Sequence, residues 1–423
     1  MSIPTIKIGD DNWAVKPSLF LGYNDTNGIY IPREFTVSRG TTALEVNSAG
    51  ILTTANNNIA RIDYLNFAKG ALFVEASAQN LALQSEAFTL SANWNTSVGG
   101  RTLVTGDVTA TLDPYGGNAA DLLSDDNTAS STHRMYTASN VSITSGTTYS
   151  TSFFVKANTT PWFEIRLLQS NEADAGISGT VFNLASGTIT SGSGTIQNYG
   201  NGWYRCTNIG TSNFTGNGRI FFYVYDSSGA KNYNGTSSNS LYIFGAQLEA
   251  GSIATTYIPT TTGTGSRAAD TISLSNVSNL IGQTEGTIYA EVDVRNWQNA
   301  GTTISITVDG SQDNSIRMYS LSSNQFVGLV RAAGQNVAVL ATSTGLANGV
   351  YKMALAYKAN DFAFYVNGSL VNTDTSGTPP ACNFVLLGQE GTGLNTRLND
   401  RIRAAAIYTT RLSNNELQLL TKL

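Results

Sequence analysis

Residues 241–260 divide the chain more clearly than any other segment. They begin with an apolar run, Leu241-Tyr-Ile-Phe, that is long enough for one buried strand, and they run through Pro259. Residues 260–266 are only Thr, Gly and Ser and end before Arg267, a composition typical of a linker. A chain of 423 residues is too long for one ordinary core. We therefore expect one domain to close at this proline and another to begin after the linker.

The composition of the chain favours short strands joined by turns. Only 13% of its residues are charged, against roughly 25% in an average soluble domain, and 41 residues are glycine. Phe163, Ile165 and Leu167 alternate with Glu164 and Arg166, which predicts a strand with one inward and one outward face. Similar segments recur at roughly the 8–12-residue spacing of a sandwich. We predict an all-β chain built from two tandem β-sandwich (jelly-roll) domains.

Two local motifs in the last third of the chain predict particular structures. Asn367-Gly368 lies between the aromatic run Phe362-Ala-Phe-Tyr-Val366 and Ser369-Leu-Val371 and is the favoured two-residue turn of a β-hairpin. Ser413, followed three positions later by Glu416, forms a capping-box pattern ahead of a leucine-rich ending. We therefore expect a tight hairpin and a short C-terminal helix.

Four regions follow from these patterns. Residues 1–80 contain short strand patterns but too few apolar residues for a large core, so we expect a small β-rich region that packs on another domain or on a partner subunit. Residues 81–259 predict the first sandwich, residues 260–266 the linker, and residues 267–423 the second sandwich.

Charge and hydropathy exclude several functional classes. The net charge is −5 and no run of Lys or Arg exceeds two residues, so we expect no nucleic-acid partner. No apolar run approaches the roughly 18 residues of a membrane span, so we expect no membrane insertion. The first residues lack the apolar core of a signal peptide, which favours synthesis in a cytoplasm and release by assembly or lysis. Cys206 and Cys382 fall in different predicted domains, so we expect no disulfide between them.

Several segments resemble two known families. The entry, later strands and exit of the first sandwich contain Arg61-Ile-Asp-Tyr64, Asn80-Leu-Ala-Leu-Gln-Ser-Glu86, Asn201-Gly-Trp-Tyr-Arg-Cys206, Gly245-Ala-Gln-Leu-Glu249 and Tyr257-Ile-Pro259. These segments resemble a carbohydrate-binding-module-like β-sandwich of bacteriophage virion proteins. The second sandwich contains Tyr351-Lys-Met-Ala-Leu-Ala-Tyr-Lys-Ala-Asn360, Tyr365-Val-Asn-Gly368, Ile402-Arg-Ala-Ala-Ala-Ile-Tyr408 and Arg411-Leu-Ser-Asn-Asn-Glu-Leu417. It resembles the concanavalin A-like, laminin-G-like lectin fold.

The resemblance implies a non-enzymatic structural protein of a bacteriophage virion. Such a tail fibre or spike would display lectin-like domains on the particle exterior for attachment to host-surface glycans. Residues 1–80 would attach it to other virion proteins, and the assembly would be a homotrimer made in the host cytoplasm. Three alternatives stay open: a capsid decoration or head-fibre protein without a specific glycan ligand, a polysaccharide depolymerase, and a secreted bacterial lectin or adhesin.

The catalytic patterns in the sequence are incomplete. Hydrolases that share the lectin fold carry a Glu-x-Asp-x-x-Glu strand; Glu291 and Asp293 match its first two acids, but Asn296 stands at the third. We interpret the two acids as members of an outward strand face. His133 is the only histidine and lies in a polar stretch, so we expect a solvated loop position. One His and two Cys cannot build a zinc site, and we predict no enzyme activity.

Binding candidates are aromatic residues and one acidic loop. A sugar site needs an aromatic platform for the apolar sugar face, although each aromatic residue has core packing as its alternative. The candidates are Trp162, Trp203, Tyr223, Tyr225 and Tyr233 in the first sandwich, and Trp297 and Tyr319 in the second. Asp309, Ser311 and Asp313 offer oxygen donors at alternate positions, so Ca²⁺ is the one candidate cofactor. An ordinary polar turn is the alternative.

Overall fold

The computed structural model describes residues 4–9, 14–16, 19–26, 29–96, 100–295, 297, 301–391 and 397–423. Contacts divide the chain into two compact units. One unit, here called the terminal unit, contains both ends of the chain (Met1–Ser48, Thr54–Ser77 and Ala268–Leu423). The other, the central unit, contains Ala49–Thr53 and Ala78–Arg267.

Nearly all regular structure is β-strand, which confirms the predicted fold class. The first strands are β1 (Ile6–Gly9), β2 (Ala14–Lys16), β3 (Leu19–Thr26), β4 (Ile29–Ser38), β5 (Ala43–Val46), β6 (Leu52–Ala55), β7 (Arg61–Asp63) and β8 (Ala71–Val74). Next come β9 (Ala78–Asn80), β10 (Trp94–Asn95), β11 (Thr102–Thr105), β12 (Asp121–Asp125), β13 (Ser131–Thr137), β14 (Val141–Ile143), β15 (Thr148–Ala157), β16 (Trp162–Gln169), β17 (Thr180–Asn183), β18 (Thr188–Ser191), β19 (Gly194–Gly200), β20 (Trp203–Thr211), β21 (Gly216–Val224), β22 (Asn232–Tyr233), β23 (Ser240–Ala250) and β24 (Gly265–Arg267). The last are β25 (Thr271–Ser275), β26 (Glu285–Val294), β27 (Gly301–Thr307), β28 (Ser315–Leu321), β29 (Gln325–Ala332), β30 (Gln335–Ala341), β31 (Gly349–Lys358), β32 (Phe362–Val366), β33 (Ser369–Asp374), β34 (Phe384–Leu387) and β35 (Asp400–Tyr408). A 3₁₀ turn spans Ser278–Leu280, and one helix, α1, spans Asn414–Leu420.

The central unit is a sandwich of two antiparallel sheets. Sheet 1 has the order β10-β13-β21-β16-β17-β18, with β14 on β21 and β22 on β13; sheet 2 has the order β11-β12-β23-β15-β20-β19. Phe163 on β16 stacks on Phe222 of β21 at 5.0 Å, and Phe222 meets Phe153 of β15 edge-to-face at 5.3 Å. Phe163, Ile165 and Leu167 are all buried in this core, as their alternation predicts.

Strand β23 lies between β12 and β15 in sheet 2. Residues 255–258, here called the return segment, follow it on the outer face of that sheet. Beyond the bulge at Gly245, Gln247 and Glu249 point away from the core. The N–H of Thr255 donates to Glu249 Oε2 (2.9 Å), and the N–H of Ile258 donates to Gln247 Oε1 (2.7 Å). The return segment therefore satisfies two buried polar side chains that would otherwise lose their hydration without compensation.

The predicted linker is hydrogen-bonded to the central unit at both ends. The N–H of Gln84 donates to the carbonyl of Thr261 (2.9 Å), and β24 pairs with β9 from Gly265 to Arg267. The two units consequently divide after Arg267, eight residues beyond the proline at which we expect the first sandwich to close.

The terminal unit is a second sandwich. Its sheet 3 runs β33-β32-β31-β26-β35, and β1 and β8 then share the free edge of β35, with β3 on β1 and β7 on β8. Its sheet 4 runs β4-β25-β34-β27-β28-β29-β30. Ile288, Leu355 and Phe364 from sheet 3 face Ile304 and Met318 from sheet 4 in the core.

The structure corrects the prediction that residues 1–80 form a region of their own. Strands β1 and β8 pair with β35 near the C-terminus, so they cover an edge that would otherwise expose unpaired N–H and C=O groups. Arg39 Nη1 lies 2.8 Å from Asp270 Oδ1, and the fully buried Arg61 contacts both Asp270 and Glu75. These residues need no large core of their own because they complete the core of residues 268–423.

Both local motifs are confirmed. The turn between β32 and β33 has Asn367 at φ 48° and Gly368 at φ 77°, as a type I′ turn requires. Ser413 Oγ accepts the N–H of Glu416, and Glu416 Oε2 accepts the N–H of Ser413 (3.0 Å), which completes the capping box of α1. Leu417 of α1 packs on the outer face of sheet 3.

Two further features concern cysteines and membrane helices. Cys206 is buried in the central unit and Cys382 in the terminal unit, and both are free. In the part of the chain that the structure describes, no helix is long and apolar enough to cross a membrane.

Candidate functional site

An aromatic layer lies on the outer face of sheet 1 of the central unit. Phe222 and Val224 of β21 point into the core, so the alternate side chains of that strand point outward. The outward layer contains Tyr136, Trp162, Phe221, Tyr223 and Tyr225. Three of the seven predicted glycan-binding residues (Trp162, Tyr223 and Tyr225) therefore come together on one face.

Cationic side chains cover this aromatic layer. The guanidinium carbon of Arg134 lies 5.3 Å from the ring centre of Phe221 and 5.9 Å from that of Tyr223. Lys231 Nζ lies 3.8 Å above Tyr223, which is only 4% exposed. A ligand would therefore meet charged groups held on aromatic rings rather than a bare platform. We define the tyrosine–arginine face by the aromatic layer together with Arg134, Glu164, Arg166 and Lys231.

Strand register creates this face. Arg134 on β13 is opposite Tyr223 on β21, which is opposite Glu164 on β16; in the adjacent row Phe221 is opposite Arg166. Sequence analysis missed Arg134 as a site residue. The alternation of residues 131–137 does place its side chain outward, but only the register shows which aromatic residues it meets.

The carboxylate at the centre of the face, Glu164, is held through its Oε2 atom. Glu164 Oε2 accepts from Tyr225 Oη (2.9 Å) and contacts Lys231 Nζ, while Arg166 Nη1 lies 4.0 Å from Glu164 Oε1. Burial raises the pKa of Tyr225, and the neighbouring Glu164 charge raises it further. Burial also raises the pKa of Tyr223, although Arg134 opposes it. Both phenols therefore stay protonated near neutral pH and act as hydrogen-bonding groups.

The Nε atoms of two arginines on this face, Arg134 and Arg166, make no hydrogen bond to a described residue. Arg134 Nη2 lies 2.7 Å from Glu172 Oε1, but the buried Nε of Arg134 has no hydrogen-bond partner in the described part of the chain. The same is true of the buried Nε of Arg166. Both nitrogens are buried, and the Nε atoms of several other arginines in the chain are in the same situation, so a ligand can reach only the outer nitrogens of these guanidinium groups.

The structure places Trp203 and Tyr233 elsewhere. Trp203 lies on the outer face of sheet 2, where its Nε1 donates to the carbonyl of Leu112 (2.9 Å). It forms a wall of a cavity of about 290 Å³ that Lys156 also lines. Tyr233 packs against His133, with ring centres 4.5 Å apart, and is buried. Neither residue reaches the tyrosine–arginine face.

The prediction of a solvated loop position for His133 is wrong. The residue lies on β13 and is fully buried, because the alternation of this strand turns every second side chain inward. Its Nδ1 lies 2.8 Å from the carbonyl oxygen of Arg101 and 3.3 Å from Asp126 Oδ1. The imidazole thus belongs to the packed interior of the central unit.

The two aromatic candidates of the terminal unit have different environments. Trp297 packs in the core, 4.9 Å from Phe326 and 5.9 Å from Tyr351 between ring centres. Trp297 is therefore better interpreted as a core residue than as a sugar-binding residue. Tyr319 is half-buried on the outer face of sheet 4, and the guanidinium carbon of Arg317 lies 5.6 Å from its ring centre.

Next to Tyr319 lies a group of buried polar side chains that the sequence did not suggest. Ser305 is in register with Arg317, whose Nη1 lies 2.7 Å from Glu390 Oε1. Among the described residues, no hydrogen bond reaches Thr303 Oγ1, Ser305 Oγ or either amide atom of Gln389. We call Thr303, Ser305, Arg317 and Gln389 the buried polar cluster.

The candidate catalytic acids form ion pairs on sheet 3. Glu291 and Asp293 alternate with the core residues of β26, as expected for the opposite strand face. Asp293 Oδ2 lies 2.9 Å from Arg295 Nη2 and 3.4 Å from Arg403 Nη2. Burial opposes ionisation of Asp293, but these charges outweigh it and hold its pKa below the usual range. Asn296, at the third position of the catalytic pattern, lies outside the described residues.

The calcium candidate has the geometry of a polar turn. Asp309 Oδ1 accepts the N–H of Ser311 (3.0 Å), and the carbonyl of Asp313 accepts the N–H of Gly334 (2.9 Å). Within the described ranges, no group of three or more His, Cys, Asp or Glu residues could hold a metal ion. Calcium binding at Asp309, Ser311 and Asp313 stays a prediction.

Comparison with known proteins identifies the fold of residues 264–418. Residues 264–418 match the family model of the concanavalin A-like lectin/glucanases superfamily, which confirms the predicted lectin-type domain. No curated protein matches the chain.

Solved structures resemble the chain at low sequence identity. The carbohydrate-binding module (CBM40) of Ruminococcus gnavus IT-sialidase, bound to α2,3-sialyllactose, is 18% identical (35% of this chain, 91% of that chain, TM-score 0.31). The leech intramolecular trans-sialidase is 20% identical (34% and 24%, TM-score 0.29). The binding domain of botulinum neurotoxin DC, in complex with rat synaptotagmin II, is 14% identical (36% and 39%, TM-score 0.29). Similarities this low carry no argument about ligands.

Proposed function

We propose that this chain is a non-enzymatic, lectin-like structural protein of a bacteriophage virion and that its tyrosine–arginine face binds a host-surface glycan. One observation carries the glycan proposal. Trp162, Tyr223 and Tyr225, chosen from sequence as sugar-binding candidates, meet on one sheet face together with the partly exposed cations Arg166 and Lys231.

The construction of the face suits recognition of a polar ligand. Most of its side chains project from three paired strands, whereas Tyr225 and Lys231 lie in the connection after β21. The hydrogen bond between Tyr225 and Glu164 fixes the position of the buried carboxylate. Arg166 and Lys231 remain about 30% exposed and can donate to sugar hydroxyl or carboxyl groups. A rigid scaffold of this kind lowers the entropy lost on binding.

The chemistry of the candidate acids favours binding over hydrolysis. A retaining glycosidase needs two carboxyl groups about 5 Å apart, one a nucleophile and one a proton donor. Glu164 is engaged by a tyrosine and a lysine, and Asp293 by two arginines. Neither Glu164 nor Asp293 is therefore placed to act as the proton donor of a hydrolase.

The virion assignment rests on the resemblance of the entry and exit segments of the first sandwich, including Tyr257-Ile-Pro259. We propose a tail fibre or spike that assembles as a homotrimer on the particle exterior and is made in the host cytoplasm. Because β1 and β8 belong to the terminal unit, attachment through residues 1–80 would place that unit against other virion proteins.

A glycan array tests the binding proposal. The full chain should bind a defined set of glycans, and a Trp162→Ala/Arg166→Gln variant should lose that binding. Tyr242→Ala on β23 of sheet 2, a matched aromatic substitution in the same unit, should keep it. If the full chain binds no glycan on a broad array, a decoration or head-fibre role without a glycan ligand replaces this proposal. Release of reducing ends from host capsular polysaccharide would identify a depolymerase instead.

The virion assignment has a separate test. Mass spectrometry of purified phage particles should detect the chain, and imaging of the particle should show three copies with residues 1–80 facing a neighbouring protein. A purified protein that is monomeric and absent from virions would overturn this part of the proposal while leaving the glycan site untouched.

A further inference from the structure

We infer that the ligand of the tyrosine–arginine face is a saccharide that carries a carboxylate, such as a chain of uronic or sialic acids. This inference rests on the proposed glycan-binding function and adds the chemical class of the ligand.

The solvent-facing charge of the face is positive. The side chains of Arg166 and Lys231 are 30% and 31% exposed, and that of Arg134 is 18% exposed. The central carboxylate, Glu164, is only 6% exposed and already accepts a hydrogen bond from Tyr225. A ligand approaching from solvent therefore meets three cations before it meets that carboxylate. This local excess contrasts with the net charge of −5 of the whole chain.

Arg166 has the most unused binding capacity. Its one ion pair with a described residue joins Nη1 to Glu164 Oε1 at 4.0 Å, beyond hydrogen-bond distance, whereas its Nε is buried and out of reach of a ligand. A guanidinium presents parallel N–H donors that match the two oxygens of a carboxylate. Arg166 is thus oriented by the strand but is not saturated by its protein neighbours.

Arg134 and Lys231 both lie over the ring of Tyr223. Arg134 lies over Phe221 and Tyr223 and contacts Glu172 at the edge, while Lys231 lies over Tyr223 and contacts Glu164. Cations fixed by aromatic faces lose little rotamer freedom when they bind an anion. The arrangement therefore favours a charged sugar over a neutral one.

The limited size of the charged area argues against a nucleic acid. The three cations of the face and Arg219, whose guanidinium carbon lies 5.9 Å from the ring centre of Tyr136, lie beside two acidic residues, Glu164 and Glu172. A nucleic-acid surface instead neutralises a row of phosphates with an extended basic stripe. A single carboxylate on each sugar, spaced along a polymer, matches this arrangement better.

Matched polymers test the inference. Biolayer interferometry would compare the full chain on polygalacturonate, alginate and polysialic acid, each beside its methyl-esterified form, which keeps the backbone and masks the carboxylate. We expect at least one acid form to bind about tenfold or more tightly than its ester, the size of one charge-assisted contact. Arg166→Gln should reduce binding of that acid to the level of the ester, and Lys231→Gln should weaken it as well.

Lys156→Gln provides the control, because Lys156 is a cation of the same unit that lies on the outer face of sheet 2, beside Trp203. Its binding should equal that of the unchanged protein, and circular dichroism should show that all three variants remain folded.

Each other outcome has a defined meaning. Equal binding of acids and esters, or binding of neutral array glycans alone, overturns the acidic class but leaves the proposed glycan-binding function. Equally tight binding of dextran sulfate or single-stranded DNA shows a general polyanion surface and also overturns the inference. If no acidic polymer and no array glycan binds, both the inference and the proposed function fail.

Discussion

Replacing Glu45 by Gln should remove a pH-dependent loss of stability from the terminal unit. Burial raises the pKa of the Glu45 carboxyl from 4.5 to about 7; the Ile62 N–H and the charge of Arg61 lower it by less, and Asp63 adds to the rise. Glu45 Oε2 is buried and makes no hydrogen bond to any described residue. Glutamine keeps the size and shape of this side chain but cannot ionise.

The size and sign of the effect follow from the linkage between proton binding and folding. Each pKa unit corresponds to about 1.36 kcal/mol, so the difference between 4.5 and about 7 is worth about 3 kcal/mol. Because the folded-state pKa is raised, this stabilisation is fully present below pH 4.5 and is lost as the pH rises through about 7. The unchanged protein should therefore lose about 3 kcal/mol between pH 4.5 and pH 8 that the Gln variant does not lose.

Urea-dependent hydrogen exchange, read by mass spectrometry, separates the two units in one experiment. Exchange of terminal-unit peptides gives the free energy of opening, and central-unit peptides serve as an internal reference. Variant and unchanged protein are compared at the same pH, which cancels the intrinsic pH dependence of exchange. Relative to the unchanged protein, Glu45→Gln should gain about 2–3 kcal/mol between pH 5 and pH 8.

The exposed Glu34 supplies the matched control, and Glu34→Gln should show no such gain. If Glu45→Gln gains less than about 1 kcal/mol between the two pH values, the carboxyl is solvated in the folded protein and the reasoning is refuted.

Three further substitutions, with Gly263→Ala as a control for one of them, test the packing and the buried polar cluster by urea unfolding. Gln389→Met should raise the free energy of unfolding of the terminal unit by about 1–2 kcal/mol, because neither amide atom has a partner among the described residues; a loss would show that the amide is satisfied. Gly245→Ala should lower the free energy of unfolding of the central unit by about 2 kcal/mol, since Gly245 has φ 63° and an added Cβ would lie 3.0 Å from Phe154. Gly263→Ala, where an added Cβ meets nothing within 4 Å, should change stability little. Phe222→Ala should lower the stability of the central unit by about 3–5 kcal/mol, and a loss below 1 kcal/mol would contradict its central place in the core.

Local rules explain which parts of the fold the sequence predicts. Alternation placed the strands around Phe163 and Ile288, the Asn367-Gly368 pair placed the hairpin, and the spacing of Ser413 and Glu416 placed the helix start. Each of these signals acts within a few residues. The pairing of β1 with β35 joins the two ends of the chain, and no local pattern encodes it.

The same distinction applies to the candidate site. Aromatic residues could be chosen from the sequence, but three of the seven meet on one face only because β13, β21 and β16 pair in one register. Arg134 and Glu164 enter the site through that register. Trp297, by contrast, has the same side-chain chemistry as Trp162 and is packed in a core.

The return segment after β23 explains why the two outer faces of the central sandwich differ. Arg205 Nη1 donates to the carbonyl of Thr255 (2.5 Å), and Tyr257 packs edge-to-face on Phe154 at 6.0 Å, so residues 255–258 cover this part of sheet 2 from outside. Glu249 is buried beneath them, and burial raises its pKa. Residues 255–258 thus cover the outer polar and aromatic side chains of sheet 2 in this region, so a ligand cannot reach them. On sheet 1, Arg166 and Lys231 remain partly exposed, so that face is the one that can offer its charges to a ligand.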